Sequence, residues 1–246
     1  MKLGDWLAQA PFGLAMSSGF FSFFAHTGML TALVERGLLP AHVAGSSAGA
    51  LVGGAYGAGL SPTELADVLV RLERAHFWDP AVGAGLLAGR KFDRMLREML
   101  PVAAFEATRV PVKISAFDIY ARKTAVLASG DLADAIRASC AVPAMFQPVW
   151  IGGRPYWDGG ILDRPGIAGV PSGRLLFHHI ASRSPWRFAG LGLPRRAELV
   201  SLVIDALPRS GPFKLDAGRR ALSLARDATL RALDAPIVDG AVFVRA

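Results

Sequence analysis

Between Phe12 and Val34 the chain carries no Asp, Glu, Lys or Arg, and after Glu35-Arg36 a second charge-free run extends from Gly37 to Thr63. Runs of this length either cross a bilayer or become the interior of a folded domain. The first contains Ser17, Ser18, Gly19, Ser22, His26, Thr27 and Gly28, a polar load that suits a buried strand turning into a buried helix better than a lipid-facing span. Asp5 stands where a signal peptide would carry positive charge, and no apolar block precedes Ala8-Gln9-Ala10. The expectation is therefore an α/β core.

Its 246 residues are enough for one such domain, spanning 1–246, with a sizeable interior. With 52% apolar and 19% charged residues the chain packs rather than remaining disordered. The balance of 27 Lys+Arg against 20 Asp+Glu leaves +7, dispersed and largely Arg. That excess suits an anionic surface, and no concentrated basic patch marks a nucleic-acid partner. Cys140 is alone, which excludes an internal disulfide and points to a reducing, cytoplasmic setting, with peripheral membrane contact left open. No metal-ligand spacing or cofactor fingerprint is present, so neither a metal nor a cofactor is expected.

Strands and helices alternate along the chain. Phe12–Met16 and His42–Gly45 read as short buried strands, His26–Arg36 and Ala48–Ala58 as helices. Ser61-Pro62-Thr63-Glu64 is a helix start, with Ser61 as N-cap, Pro62 at the first helical position and Glu64 closing a capping box. Val110–Tyr120 is a strand, turning through Ala121–Thr124 into Ala125–Ala128, and Asp131–Ser139 is a helix with Leu132, Ala135 and Ile136 on one side. Tyr156–Gly160 ends a strand or hairpin in a glycine turn. Leu175–Ile180 is a strand, while Ala197–Leu207 and Asp216–Leu233 are predicted helices.

Gly45-Ser46-Ser47-Ala48-Gly49 lies between the second strand and its helix. A phosphate loop would need a closing Lys, or an acidic residue about twenty positions on, and finds neither. A nucleophile elbow needs Gly-x-Ser-x-Gly at a sharp strand-to-helix turn, with small flanks that let the two backbones approach. The segment fits that pattern around Ser47. A serine nucleophile also needs a base. His178 and His179 sit in the apolar run Leu175–Ile180 and read as strand-face residues, though a His-dependent hydrolase using one of them stays open. Asp158, in Trp157-Asp158-Gly159-Gly160, is the other choice; strand alternation would put Trp157 on the opposite face from its carboxylate. Cys140 has no base among its sequence neighbours and reads as helix packing.

The elbow (Gly45–Gly49), the segment Gly130–Val149 and the turn Asp158-Gly159-Gly160 together resemble the patatin-like phospholipase family, over roughly residues 12–165. The resemblance implies a three-layer α/β/α sandwich around a mixed, mostly parallel sheet. It implies a Ser47–Asp158 dyad acting on acyl esters, typically lipids, with Gly45, Gly49, Gly159 and Gly160 supporting the two turns. The last third resembles no family in particular. Where the family carries a glycine run followed by a basic residue, this chain reads Ser18-Gly19-Phe20 and then Ser22, whereas Phe24-Ala25-His26-Thr27-Gly28 matches the family segment. The resemblance implies an oxyanion hole from the backbone N–H groups of Gly19 and Phe20, with Phe20 in a position where glycine is usual and its ring in core packing or an acyl pocket. A lipid-binding member of the same fold without turnover is the second reading. In the predicted helix Asp216–Leu233, Arg219, Arg220, Arg226 and Arg231 alternate with leucines, as solvated arginines on a packed helix or as a contact with anionic lipid.

Overall fold

The computed structural model describes residues 1–180 and 193–246. In chain order α1 spans Leu3–Ala8, β1 Gly13–Met16, α2 Phe23–Glu35, β2 His42–Ser46, α3 Ala48–Ala58 and α4 Pro62–Val70. They are followed by β3 (Gly85–Leu87), α5 (Arg90–Met99), β4 (Val112–Asp118), β5 (Lys123–Leu127) and α6 (Leu132–Cys140). The remainder comprises β6 (Ala144–Phe146), β7 (Val149–Ile151), β8 (Arg154–Asp158), β9 (Leu175–Ile180), β10 (Leu199–Asp205), α7 (Leu215–Leu233) and β11 (Ala241–Arg245).

A nine-stranded sheet runs in the order β11-β10-β9-β1-β2-β4-β8-β7, with β5 also on β4. From β11 to β4 every pairing is parallel, whereas β5 and β8 are antiparallel to β4 and β7 is antiparallel to β8. It is the mixed, mostly parallel α/β sheet the sequence led one to expect. The parallel strands are short continuous apolar runs because both their faces are covered. On one face Leu14, Met16, Val43, Ile114, Leu176 and Leu202 form a single apolar cluster with the buried sides of the helices. On the other, Ala15, Leu175, Phe177 and Leu199 are covered by Ile167, Val170 and Leu193, which lie in irregular segments.

The final third, unassigned from sequence, extends the sheet by β9, β10 and β11 and adds α7. The helix predicted over Ala197–Leu207 is instead the strand β10. Leu199-Val200-Ser201-Leu202-Val203-Ile204 is buried at every position. A run broken only by Ser201 satisfies helical and strand spacing equally; its β-branched residues and two covered faces select the strand. Two boundaries also move. Helix α2 begins three residues before His26, and β5 starts at Lys123 because Asp118 Oδ1 accepts the Ala121 N–H at 2.8 Å and tightens the turn. The Ser61 capping box forms as expected, its hydroxyl accepting the Glu64 N–H at 3.2 Å.

Helices α2 and α7 pack closely through small residues. A Cβ on Gly28 would lie 2.1 Å from the Leu222 carbonyl oxygen, and one on Gly218 would lie 2.3 Å from the Phe24 ring. The arginines of α7 serve this packing and its surroundings: Arg219 donates to the carbonyls of Val70 and Leu72, Arg226 pairs with Glu35, and Arg231 donates to the Arg245 carbonyl. These contacts favour the packed-helix reading of α7. Among the described residues no helix is long and apolar enough to cross a membrane.

Overpacking this contact sets a clear expectation. Gly28→Val should lower stability by about 1–3 kcal/mol, seen as a lower urea midpoint with an unchanged slope. An unchanged midpoint would show that α2 and α7 can separate without loss.

Candidate functional site

Strand β4 creates the site. Along one of its edges β2 pairs from Val43↔Val112 to Ser46↔Ser115. The other edge carries β5, from Ile114↔Leu127 to Asp118↔Lys123. Residues Ala116–Asp118 are thus occupied by β5 on that second edge, so their partner β8 must lie on the edge that β2 has just left. Strand β8 runs antiparallel and ends at Asp158↔Ala116, one pair beyond Ser46↔Ser115. The C-terminal ends of β2 and β8 therefore meet head to head, and Ser47 and Asp158 stand at the junction.

Ser47 adopts φ 53° and ψ −116°, a conformation costly for any residue with a Cβ. Its surroundings hold it there. The Ser47 N–H donates to Ser139 Oγ at 2.8 Å, Ser139 Oγ donates onward to the Ser115 carbonyl at 2.7 Å, and the Cys140 thiol donates to the Ser47 carbonyl at 3.2 Å. The flanking glycines are required by close approach. A Cβ on Gly49 would lie 2.0 Å from the Met16 carbonyl oxygen, and one on Gly45 2.4 Å from the Gly49 carbonyl carbon.

Asp158 is 5% exposed. Its Oδ1 accepts the Gly160 N–H at 2.7 Å, while its buried Oδ2 completes no hydrogen bond of full geometry among the described residues. Burial pushes the carboxyl up to about 6, with the nearby Ser47 hydroxyl and the Gly160 N–H pulling the other way. The pairing Trp157↔Phe117 turns Trp157 to the opposite face from the carboxylate, as strand alternation requires, so Trp157 does not lie over it. Tyr156 shares the face of Asp158, in a cluster with Ala116, Ala138 and Val149. Gly159 and Gly160 press this turn against its neighbours: a Cβ would meet the Ser115 carbonyl oxygen at 2.0 Å in the first case and Ser18 Oγ at 2.3 Å in the second.

The loop after β1 closes the site. The Ser18 N–H donates to the Arg164 carbonyl at 2.7 Å and the Ser22 N–H to the Gly19 carbonyl at 3.1 Å. Among the described residues the N–H groups of Gly19 and Phe20 enter no backbone hydrogen bond. Two expectations for Phe20 are corrected here. The positive φ belongs to Phe21, at 55°, and Phe20 is 55% exposed rather than part of the core. Phe21 tolerates its backbone because its ring packs against Phe20, Phe23 and Phe77 at 5.0, 5.3 and 5.6 Å. Beside Ser47 opens an apolar cleft walled by Phe21, Leu51, Phe77, Met95, Cys140 and Phe146.

A family model described as "Patatin-like phospholipase" matches residues 14–170. The chain belongs to the patatin-like phospholipase family. Among curated proteins it is 37% identical over 153 residues to uncharacterized NTE family proteins of Mycobacterium bovis and Mycobacterium tuberculosis, covering 61% of this chain and 42% of theirs. The match thus spans under half the length of those relatives. Among solved structures the fold is similar to VipD from Legionella pneumophila, with a TM-score of 0.63 at 14% identity over 91% of this chain and 67% of that one.

The structure brings Ser47, Asp158, Gly19 and Phe20 to one end of the sheet, and His178 reaches that end on a strand not adjacent to the one that leads to Ser47. His178 is on β9, two strands from β2 with β1 between them, or about 10 Å at ordinary strand spacing. Its Nδ1 is engaged with His26 Nδ1 at 2.8 Å. Cys140 borders the cleft, but burial and the neighbouring Asp158 charge raise its thiol well above the usual range, which suits a donor and not a nucleophile. Sequence reasoning missed Ser139, which holds the elbow, and Asp163, whose carboxylate accepts from Ser115 Oγ at 2.6 Å and from the N–H groups of Gly166, Ile167 and Ala168. Ser139 lies inside the resembling segment Gly130–Val149, but its partners Ser47 and Ser115 are on other segments; Asp163 joins one distant partner, Ser115, to three N–H groups of its own loop.

The Asp158 shift makes stability depend on pH in a definite sense. Its folded pKa, about 6, lies above the ordinary aspartate value of 3.8, so between those limits the folded state holds a proton that the unfolded state has released. The contribution of Asp158 to stability therefore falls as pH rises from about 4 to 6, by about 3 kcal/mol at most. Asp158→Asn should be more stable than wild type above pH 6, the advantage vanishing near pH 4, in parallel urea titrations. An advantage that does not change with pH would show that the carboxyl is not the origin.

Proposed function

We propose that this chain is a serine acyl-ester hydrolase acting on lipids, folded as one unit, with Ser47 as nucleophile and Asp158 as base. One observation carries the reading. A strained, partly shielded serine and a carboxylate raised toward neutral pH meet head to head at the mouth of an apolar cleft. A base near pH 6 is charged at neutral pH and still able to hold a proton, which an ordinary aspartate does poorly. In this scheme Asp158 takes the Ser47 proton as Oγ attacks the ester carbonyl. The N–H groups of Gly19 and Phe20 hold the resulting oxyanion. Asp158 then returns the proton to the departing alcohol, leaving an acyl-serine. Water attacks that ester with Asp158 again as base, and the acid is released. The apolar cleft takes the acyl chain.

The test combines covalent labelling with turnover. Ser47→Ala should abolish labelling by a fluorophosphonate, and Ser47→Ala and Asp158→Asn should each remove nearly all hydrolysis in a lipid and p-nitrophenyl ester panel. Because the two residues act as a unit, the double variant should be little worse than either single one. Wild-type protein that binds lipid but neither labels nor turns over would favour the non-catalytic member of the fold.

The lipid contact belongs at the cleft mouth rather than on α7. Exposed Phe20 lies beside Gly211, and exposed Phe213, at 68%, meets Trp78 edge to face with a ring separation of 5.5 Å. The Arg74 guanidinium lies 4.9 Å from the Phe213 ring centroid and 5.7 Å from that of Trp78. Aromatic rings with a flanking cation suit a bilayer interface. On the inactive Ser47→Ala background, Phe20→Ala with Phe213→Ala should weaken binding to anionic vesicles at least fivefold, by roughly 1 kcal/mol or more. Binding unchanged by both substitutions would place the contact elsewhere.

A further inference from the structure

His26 and His178 are both fully buried, on α2 and β9. Their Nδ1 atoms lie 2.8 Å apart, and His26 Nε2 lies 2.8 Å from the Ser17 carbonyl oxygen. A carbonyl only accepts, so His26 Nε2 carries a proton. Burial drives both imidazoles toward the neutral form. Neutral His26 then has a bare Nδ1, and the shared hydrogen bond must be donated by His178 Nδ1–H. One arrangement of protons is left: His178 Nδ1–H to His26 Nδ1, and His26 Nε2–H to Ser17 O. His178 Nε2 is then bare, and it has no hydrogen-bond partner among the described residues.

Together with Ser18, whose N–H is held by the Arg164 carbonyl, Ser17 anchors the start of the loop that carries the Gly19 and Phe20 N–H groups. Its N–H donates to the His178 carbonyl at 3.2 Å and its Oγ accepts the Ile180 N–H at 2.9 Å. With His26 on its carbonyl, all three polar groups of Ser17 are held. His26 reaches back across nine residues from the first turn of α2, so its side chain ties together the two ends of the loop.

We propose that His178 is a positioning residue for acyl transfer: it fixes the tautomer of His26, which clamps Ser17 and so aims the Gly19 and Phe20 N–H groups at the reacting oxygen. This rests on reading that loop as the oxyanion hole. His178 touches neither substrate nor Ser47 in this role. Without its donor, His26 is free to move its proton to Nδ1, and a bare Nε2 would then face the Ser17 carbonyl, two acceptors in contact. The clamp would open, and a displacement of about 1 Å at a reacting centre costs on the order of 100-fold in rate.

His178→Asn keeps an N–H donor near the Nδ1 position, and His178→Leu removes it. The Leu variant is expected to lose roughly 10- to 100-fold in kcat with little change in KM, and the Asn variant to recover most of the loss. Equal kcat in the two variants at matched melting temperature would overturn the proposal. Long-range 1H–15N spectra of the unsubstituted protein at neutral pH supply a reading that needs neither turnover nor a foldable variant. They should show the proton of His26 on Nε2 and that of His178 on Nδ1; a cationic ring, or His26 protonated on Nδ1, would overturn it equally. If no ester is turned over, the hydrolase reading fails by itself. The clamp is then read from the Gly19 and Phe20 amide resonances, which should shift in the Leu variant and stay in place in the Asn variant; unshifted amides in both would sink it.

Discussion

The site depends on one edge of one strand being shared. β4 gives its first residues to β2 and its last to β8, on the same side, while β5 occupies the other side. Ser47 and Asp158, 111 positions apart in sequence, are thereby aligned by backbone hydrogen bonds of the strands that lead to them, as rigid a positioning as a protein offers. The elbow serine and the aspartate need no flexible loop to find each other. Ser139, Ser115 and Asp163 form a second layer around the same junction, fixing the serine's N–H from one side and the turn after β8 from the other.

The burial that shapes the site also opposes stability. Ser47 sits at backbone angles that a residue with a Cβ avoids, and Asp158 carries its charge at neutral pH only against a desolvation cost. Both are tolerated because the large shared core of α2, α3, α6, α7 and the sheet over-determines the surrounding backbone. Small residues make that core dense: Gly45 and Gly49 let β1, β2 and α3 touch through their backbones, Gly28 does the same for α2 and α7, and Gly218 makes room for the Phe24 ring.

Much of this was legible in sequence because it is local. The charge-free runs required a buried βα start, Gly45–Gly49 announced a sharp turn, and Ser61–Glu64 announced a cap that forms as expected. The failures share a cause. β10 was read as a helix because a run buried on both faces has no periodicity to read. Phe20 stands where the family's glycine would, yet the left-handed backbone of the loop after β1 falls on Phe21, since which residue bends backward is decided by how the Phe21 ring packs against Phe23 and Phe77. Ser139 lies within the resembling segment Gly130–Val149, but its role was not legible there, because its two partners lie on β4 and at the elbow.

The sequence by itself singled out the residues on which the proposed chemistry rests: a serine flanked by glycines two positions away on each side, an aspartate before two more, and an apolar chain rich enough to bury both. Side-chain type and nearest-neighbour spacing decide such things. Only the tertiary structure decided that β8 would abut β2 along β4, which sets the Asp158 environment and hence its raised pKa. It alone decided that His178 would meet His26 beneath the loop and not approach Ser47. Strand order and edge sharing are properties of pairings between distant segments, and no local stretch of sequence contains them.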